Sequence, residues 1–210
     1  MFPQLTKNIN SESKDSSLSK KNSASSIDKS SEKDNELFFY SDVDDDSSLT
    51  LNQNLHEADE KIIRAKKEFE LKFEVCVPDI PINLHIQSPG GSVLAAFGSI
   101  NYIKGSNSPV HTIVDGYAAS AGTLLSVVGN MRFMGEYSYM LIHQISSMHW
   151  GNVEQLKDEM ANTELLMKRI KEIYKEHAKI PKKDLDEILK HDLWWDAKKC
   201  LEYGLVDDIV

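Results

Sequence analysis

Two stretches of this chain share a design that few folds accommodate: a short alternating apolar run that breaks off at small residues, which in turn open a helix. Ile82-Asn-Leu-His-Ile86 leads into Ser88-Pro-Gly-Gly-Ser92 and a helical stretch to about residue 103. Val110-His-Thr-Ile-Val114 leads through Asp115-Gly116 into Tyr117-Ala-Ala-Ser-Ala-Gly-Thr123 and an apolar helix. Period-two alternation is a strand signal and three-four spacing a helix signal, so each unit reads strand, turn, helix. Strands that alternate with helices argue for an α/β domain.

The remaining segments extend that pattern. Leu37-Phe-Phe-Tyr40 is a short buried-strand signal ending in the acidic turn Ser41-Asp-Val-Asp-Asp-Asp-Ser-Ser48, whose aspartates suit a solvated turn and helix N-cap better than a metal site. Leu49, Leu51, Leu55, Ala58, Ile62 and Ala65 recur at helical spacing, which predicts an amphipathic helix from residue 48 to about 68. Leu71, Phe73, Val75 and Val77 then alternate as a strand would, before Pro78 and Pro81 punctuate a turn. Met131-Arg-Phe-Met134 and Tyr139-Met-Leu-Ile142 read as further strands, the second ending at His143. Asn152 is a good N-cap with Gln155 three residues on, and Val153, Leu156, Met160, Thr163, Met167, Ile170 and Tyr174 keep a three-four spacing. That predicts a helix of about 25 residues with an apolar seam suited to packing against another subunit. A short helix over 182–190 and a final helix and turn through Glu202-Tyr-Gly-Leu-Val-Asp207 complete the chain, with no internal repeat.

Residues 1–36 are rich in Ser, Lys, Asn and Asp, a composition that buries too little apolar surface to offset its ordering entropy. A disordered tail is expected there, ahead of a single domain over 37–210. The tail's six lysines balance its six acids, so the formal charge of -9 falls on the domain. Phosphate binding calls for a clustered basic face, which argues against nucleic acid as a partner. No apolar run approaches the roughly 18 residues that span a bilayer. Residues 1–10 hold no apolar stretch of signal-peptide length, and two cysteines, Cys76 and Cys200, make no disulfide framework. A cytoplasmic location is expected.

A serine nucleophile needs a base for its proton, a group to orient that base, and N–H donors for the developing oxyanion. Ser120 sits where a strand turns into a helix, with backbone N–H groups and the positive dipole end at hand. Small residues opening a helix also serve plain tight packing. The Gly90-Gly91 pair lets bare backbone approach a ligand, and the N–H of Gly91 with that of Ala121 would make an oxyanion hole; read alone, the pair is a tight turn. His143 stands at a strand's tip, where a general base could reach a neighbouring loop, although a lone histidine there is usually structural. Asp192 competes with Asp184, Asp186 and Asp196 as its partner, and spacing alone does not choose among them.

Ser88-Pro-Gly-Gly-Ser-Val93, Gly116-Tyr-Ala-Ala-Ser-Ala-Gly122, Met140-Leu-Ile-His-Gln144 and Glu202-Tyr-Gly-Leu-Val-Asp207, in that order, resemble the successive signatures of the Clp protease proteolytic subunit. The resemblance runs from about residue 38 to residue 210. It implies a ClpP/crotonase-type β-β-α spiral whose long helix acts as a handle interlocking two stacked heptameric rings. It also implies that Ser120 is the nucleophile, His143 the general base, Asp192 the third member, and Gly91 and Ala121 the oxyanion donors. Peptides would bind as an added strand near Gly90, Gly91, Ser92 and Val93 on one side and Gln144 and Ile145 on the other. The substrates implied are peptides or unfolded proteins, with no metal or organic cofactor, and ATP use would lie in a separate AAA+ unfoldase.

Several residues depart from the family's pattern. Ile145 replaces the usual proline after His-Gln, and Ser146-Ser-Met-His-Trp150 replaces the following glycine-rich stretch. Asn83 and His85 stand where the family places aromatic residues for unfoldase docking, which sets that partner in question. The stretch 68–81 looks longer than its counterpart and the loop before His191 shorter. Competing readings are a crotonase-like acyl-coenzyme A enzyme with a similar Gly-Gly oxyanion hole, a serine–lysine signal-peptide-peptidase-like enzyme, and a non-catalytic ring or scaffold subunit. Coenzyme A binding, a membrane anchor and the absence of serine reactivity would mark these in turn.

Overall fold

A computed structural model describes residues 35–210. The expected tail lies outside the described residues up to 34, and its last member, Glu36, instead opens the first strand. The described elements run β1 (Glu36–Phe39), α1 (Asp45–Phe73), β2 (Ile82–Ser88), α2 (Val93–Gly105), β3 (Val110–Ala119), α3 (Ala121–Val127), β4 (Met131–Met134), β5 (Tyr139–Leu141), α4 (Val153–His177), α5 (Lys182–Ile188), β6 (Trp194–Asp196), α6 (Ala197–Glu202) and β7 (Asp208–Ile209).

Strands β1, β2, β3, β4 and β7 lie side by side in that order, all parallel. Alternation along β2 turns Ile82, Leu84, Ile86 and Ser88 into the core, and Val110, Thr112 and Val114 do the same on β3. The buried face meets α1, which presents Leu51, Leu55, Ala58 and Ile62 at three-four spacing, and α2, which presents Ala95, Ala96, Ser99 and Ile103. All seven residues of α3 are buried. Among the described residues no helix is long and apolar enough to cross a membrane.

Strand β3 is long enough to pair twice along one edge. Its first half pairs with β4, Val114 facing Met134, while its last residues pair with β5, Ala119 facing Leu141. Strand β5 in turn pairs antiparallel with β6, Leu141 facing Trp194. This three-strand arrangement carries the chain out of the main sheet and, as described below, assembles the site.

Helix boundaries follow local chemistry. Asp44 starts α1, its carboxylate accepting from the Ser47 N–H while Ser47 Oγ accepts from the Asp44 N–H, and Asn152 and Gln155 make the same reciprocal pair at α4. The acidic turn is therefore an N-cap. The strand expected over 71–77 is not formed: α1 continues to Phe73 and ends at Glu74, in the left-handed region at φ 51°. Lys, Glu and Leu are good helix formers, and Leu71 and Phe73 remain exposed with no sheet edge beside them, so the alternation had nothing to bury against. The i, i+4 pair Phe69 and Phe73 places its rings 4.6 Å apart on the helix surface.

One ion pair ties β4 to the chain's end. Buried Arg132 donates from Nε and Nη2 to the Asp207 carboxylate at 2.9 and 2.5 Å and from Nη1 to the carbonyls of Gly204, at 2.9 Å, and His177. These hydrogen bonds hold the Asp207 carboxyl below its ordinary value of 3.8. A depressed carboxylate stabilises above its unfolded-state pKa, and that contribution is lost as the pH falls below 3.8 toward the native value. Arg132→Met should therefore cost about 3 kcal/mol at neutral pH, read as a Tm lowered by roughly 10 °C, with the gap to wild type shrinking on acidification.

Candidate active site

The pairing of β3, β5 and β6 explains how residues far apart in sequence meet. Because β5 runs parallel to β3, the residues just beyond their ends, His143 and Ser120, lie at the same end of the pair. The Ser120 N–H fixes the junction by donating to the Leu141 carbonyl at 2.8 Å. Because β6 runs antiparallel to β5, the residues just before it come to that end too, and Asp192 is two positions before Trp194. His143 Nδ1 lies 2.6 Å from Asp192 Oδ1. The three competing acids are engaged elsewhere or lie apart: Asp196 caps α6, Asp186 pairs with Lys171 at 2.6 Å, and Asp184 sits in the first turn of α5.

Ser120 occupies φ 53°, ψ -126°, a sparsely populated conformation for a residue with a side chain, and one that costs about 1–3 kcal/mol. Among the described residues its hydroxyl makes no hydrogen bond, so the Ser120–His143 bond is not closed here. Hydrogen bonds of this kind are commonly long without substrate and tighten on binding.

The Gly90-Gly91 turn abuts the serine. Gly90 has φ 96°, and a Cβ there would lie 2.6 Å from Ser120 Cβ. Val43 pins the turn from behind: its N–H donates to the Gly90 carbonyl at 2.8 Å and its carbonyl accepts from the Ser92 N–H at 2.7 Å. This isolated parallel bridge uses residues 90 and 92 and leaves the Gly91 N–H without an acceptor among the described residues. Ala121, the first residue of α3, likewise has a spare N–H, as every helix start does.

Two cavities share Ser120 and His143. One, of about 220 Å³, is walled by Val93, Leu124, Ile145, Ile170 and Tyr174, and its mouth includes Gly91 and Ala121. The other, of about 410 Å³, extends past Gln144 to Lys190 and Asp192. Of the residues expected to hold a peptide, Ser92 is the N-cap of α2, and Val93 is that helix's first residue. The Gln144 N–H donates to the Leu189 carbonyl at 2.7 Å and the Ile145 N–H to Met167 Sδ at 3.2 Å. A peptide strand pairing with Ile145 therefore has to displace the sulfur, a weak acceptor.

Sequence reasoning missed Val43 as the brace of the glycine turn, and missed the contact of Thr123 with Tyr174 behind Ser120. The latter pair is 51 positions apart, so no local spacing could have revealed it.

The family model described as Clp protease matches residues 31–210. The chain belongs to the Clp protease family. Similar proteins include the ATP-dependent Clp protease proteolytic subunit 1 of Chlamydia caviae, 35% identical over 141 residues that cover 65% of this chain and 74% of that protein. The ATP-dependent Clp protease proteolytic subunit of Streptococcus mutans is 38% identical over 136 residues, 61% of this chain and 68% of that protein. Membership in the Clp protease family, with the parallel α/β sheet and the geometry above, supports a hydrolase of the peptidase class.

Proposed function

We propose that this Clp protease family member is a serine endopeptidase, its peptidase unit lying beyond residue 36, that cleaves peptides or unfolded proteins through Ser120, His143 and Asp192. The observation that carries the reading is the convergence on one cavity of Ser120, an imidazole joined to a carboxylate at 2.6 Å, and two unused backbone N–H groups. With Nδ1–H donated to Asp192, His143 Nε2 is left to accept the Ser120 proton as Oγ attacks the scissile carbonyl. The Gly91 and Ala121 N–H groups receive the oxyanion, His143 passes its proton to the departing amine, and water then releases the acyl group by the same steps.

The same reading extends to assembly. The first half of α4 leaves Val153, Leu156 and Met160 exposed, and the preceding segment exposes Met148 and Trp150, a surface suited to a second copy of the chain in stacked rings. An unfoldase docking at Asn83 and His85 would meet a polar network, because the Asn83 amide donates to Glu36 and the His85 ring lies between the Glu36 and Asp115 carboxylates at 3.0 and 2.9 Å.

Labelling of the purified protein with a fluorophosphonate, followed by peptide mapping, tests the proposal. Modification at Ser120 supports it, and an assembled protein that stays unlabelled points to the scaffold reading instead. Asp192→Asn should slow labelling and turnover by about 100-fold. A buried triad carboxylate is worth about 10⁴ through the imidazole tautomer, and the 77% exposure of the Asp192 side chain lets water supply part of that role.

A further inference from the structure

One buried polar pair, outside the three residues above, touches the backbone of Ser120 itself. Thr123, fully buried in α3, donates its hydroxyl proton to the Ser120 carbonyl at 2.6 Å. The same Oγ1 lies 2.5 Å from the hydroxyl oxygen of Tyr174, which is 1% exposed and comes from α4. A threonine hydroxyl has one proton, and here the Ser120 carbonyl takes it. Tyr174 must therefore be the donor, so donation runs in series from Tyr174 to Thr123 to the Ser120 carbonyl. Burial pushes the Tyr174 hydroxyl well above the usual tyrosine range, which keeps it protonated and donating.

The Ser120 carbonyl and the Ala121 N–H belong to one planar peptide group. Fixing the carbonyl oxygen fixes the plane and with it the direction of the N–H on the other side. The carbonyl is held from two directions, by the Thr123 N–H at 3.0 Å and by the Thr123 hydroxyl. The peptide lies directly after a residue at φ 53°, where backbone left to itself would relax toward commoner values. An oxyanion donor is useful only if aimed where charge develops, so a pin on this plane acts on the transition state.

Resting on the peptidase reading above, we propose that Thr123 and Tyr174 are positioning residues that aim the Ala121 N–H at the oxyanion by pinning the Ser120–Ala121 peptide plane. A serial arrangement has a signature that packing alone lacks. Tyr174 acts only through Thr123, and the effect falls on turnover and not on substrate binding.

The test is steady-state hydrolysis of a fluorogenic peptide by the full-length protein, with inhibition by a peptide boronate as a mimic of the tetrahedral oxyanion. Tyr174→Phe, which removes only the terminal oxygen, is expected to lower kcat about tenfold with KM within about twofold of wild type. Thr123→Val should lose about 50-fold, part of the 10²–10³ associated with a missing oxyanion donor, and the double variant should match Thr123→Val alone. Thr123→Ser, which keeps the hydroxyl, should recover most of the loss, and boronate affinity should weaken in step with kcat. Additive losses in the double variant, a change confined to KM, or unaltered kcat in Tyr174→Phe overturns the inference while wild-type activity leaves the peptidase reading standing. A wild type that neither hydrolyses the peptide nor labels at Ser120 overturns both.

Discussion

Replacing Ser120 with alanine is expected to lower peptide hydrolysis by about 10⁵-fold or more and to abolish fluorophosphonate labelling, while leaving the fold and assembly intact. The size follows from the role proposed above: in a serine, histidine and aspartate unit the nucleophile cannot be replaced in part, and its loss costs about as much as losing all three. The structural cost should be slight, because the Ser120 hydroxyl makes no hydrogen bond among the described residues and the residue's strain resides in its backbone. Chain assembly measured by sedimentation should match wild type. A Ser120→Ala protein that retains even 1% of wild-type hydrolysis would show that another residue carries the chemistry.

Gly90→Ala is expected to lower turnover by more than about 100-fold and to destabilise the protein measurably, although it adds one methyl group and touches no titrating residue. The new Cβ would lie 2.6 Å from Ser120 Cβ, 2.7 Å from the Ala119 carbonyl oxygen and 2.9 Å from the Ala121 nitrogen. Two of those three neighbours are backbone, which cannot rotate away, and Gly90 itself sits at φ 96°, where an alanine is strained by about 1–3 kcal/mol. Relief requires moving the turn that carries Ser120, the proposed nucleophile, and displacements of about 1 Å cost about 10² in rate. Gly98→Ala is the matched control. It lies within α2, a Cβ there meets nothing within 4 Å, and the substitution should stabilise the helix by about 0.5–1 kcal/mol. Opposite signs in Tm for the two glycines would show that the local geometry at Gly90, not glycine loss in general, is responsible; equal behaviour would refute the packing argument.

Much of the fold was legible because it is written in short-range relationships. The alternation of Ile82, Leu84 and Ile86 marked β2, and the Asn152 and Gln155 pair marked the start of α4. The strand expected to close at Asp115-Gly116 instead runs on to Ala119, because Tyr117, Ala118 and Ala119 pair with β5, and α3 opens only at Ala121. The error over 71–77 came from the short-range pattern itself. Alternating apolar residues satisfy a strand's pattern whether or not a sheet edge is within reach, and here α1 ran on through Phe73 with Leu71 left exposed. The candidate site was partly legible: Gly90, Gly91, Ser120 and His143 stand at ends of elements whose periodicity is visible, while the acid facing His143 was one of four by spacing and was named as Asp192 only through the family resemblance.

The sequence by itself determined the strand, glycine and helix units, the placement of Ser120 at a helix start and the capping of the two long helices. Each depends on residues no more than a few positions apart, whose φ/ψ preferences and hydrogen-bonding groups act locally. Tertiary structure decided that Asp192, which the family resemblance named and spacing did not, meets His143 49 positions away, that Val43 braces the Gly90-Gly91 turn, and that Tyr174 reaches the Ser120 carbonyl through Thr123. The first depends on the register of β3, β5 and β6, the second on the parallel pairing of β1 with β2, and the third on the packing of α4 against α3. Register and packing are settled by which whole faces are buried together, a property of the assembled core that no single segment carries.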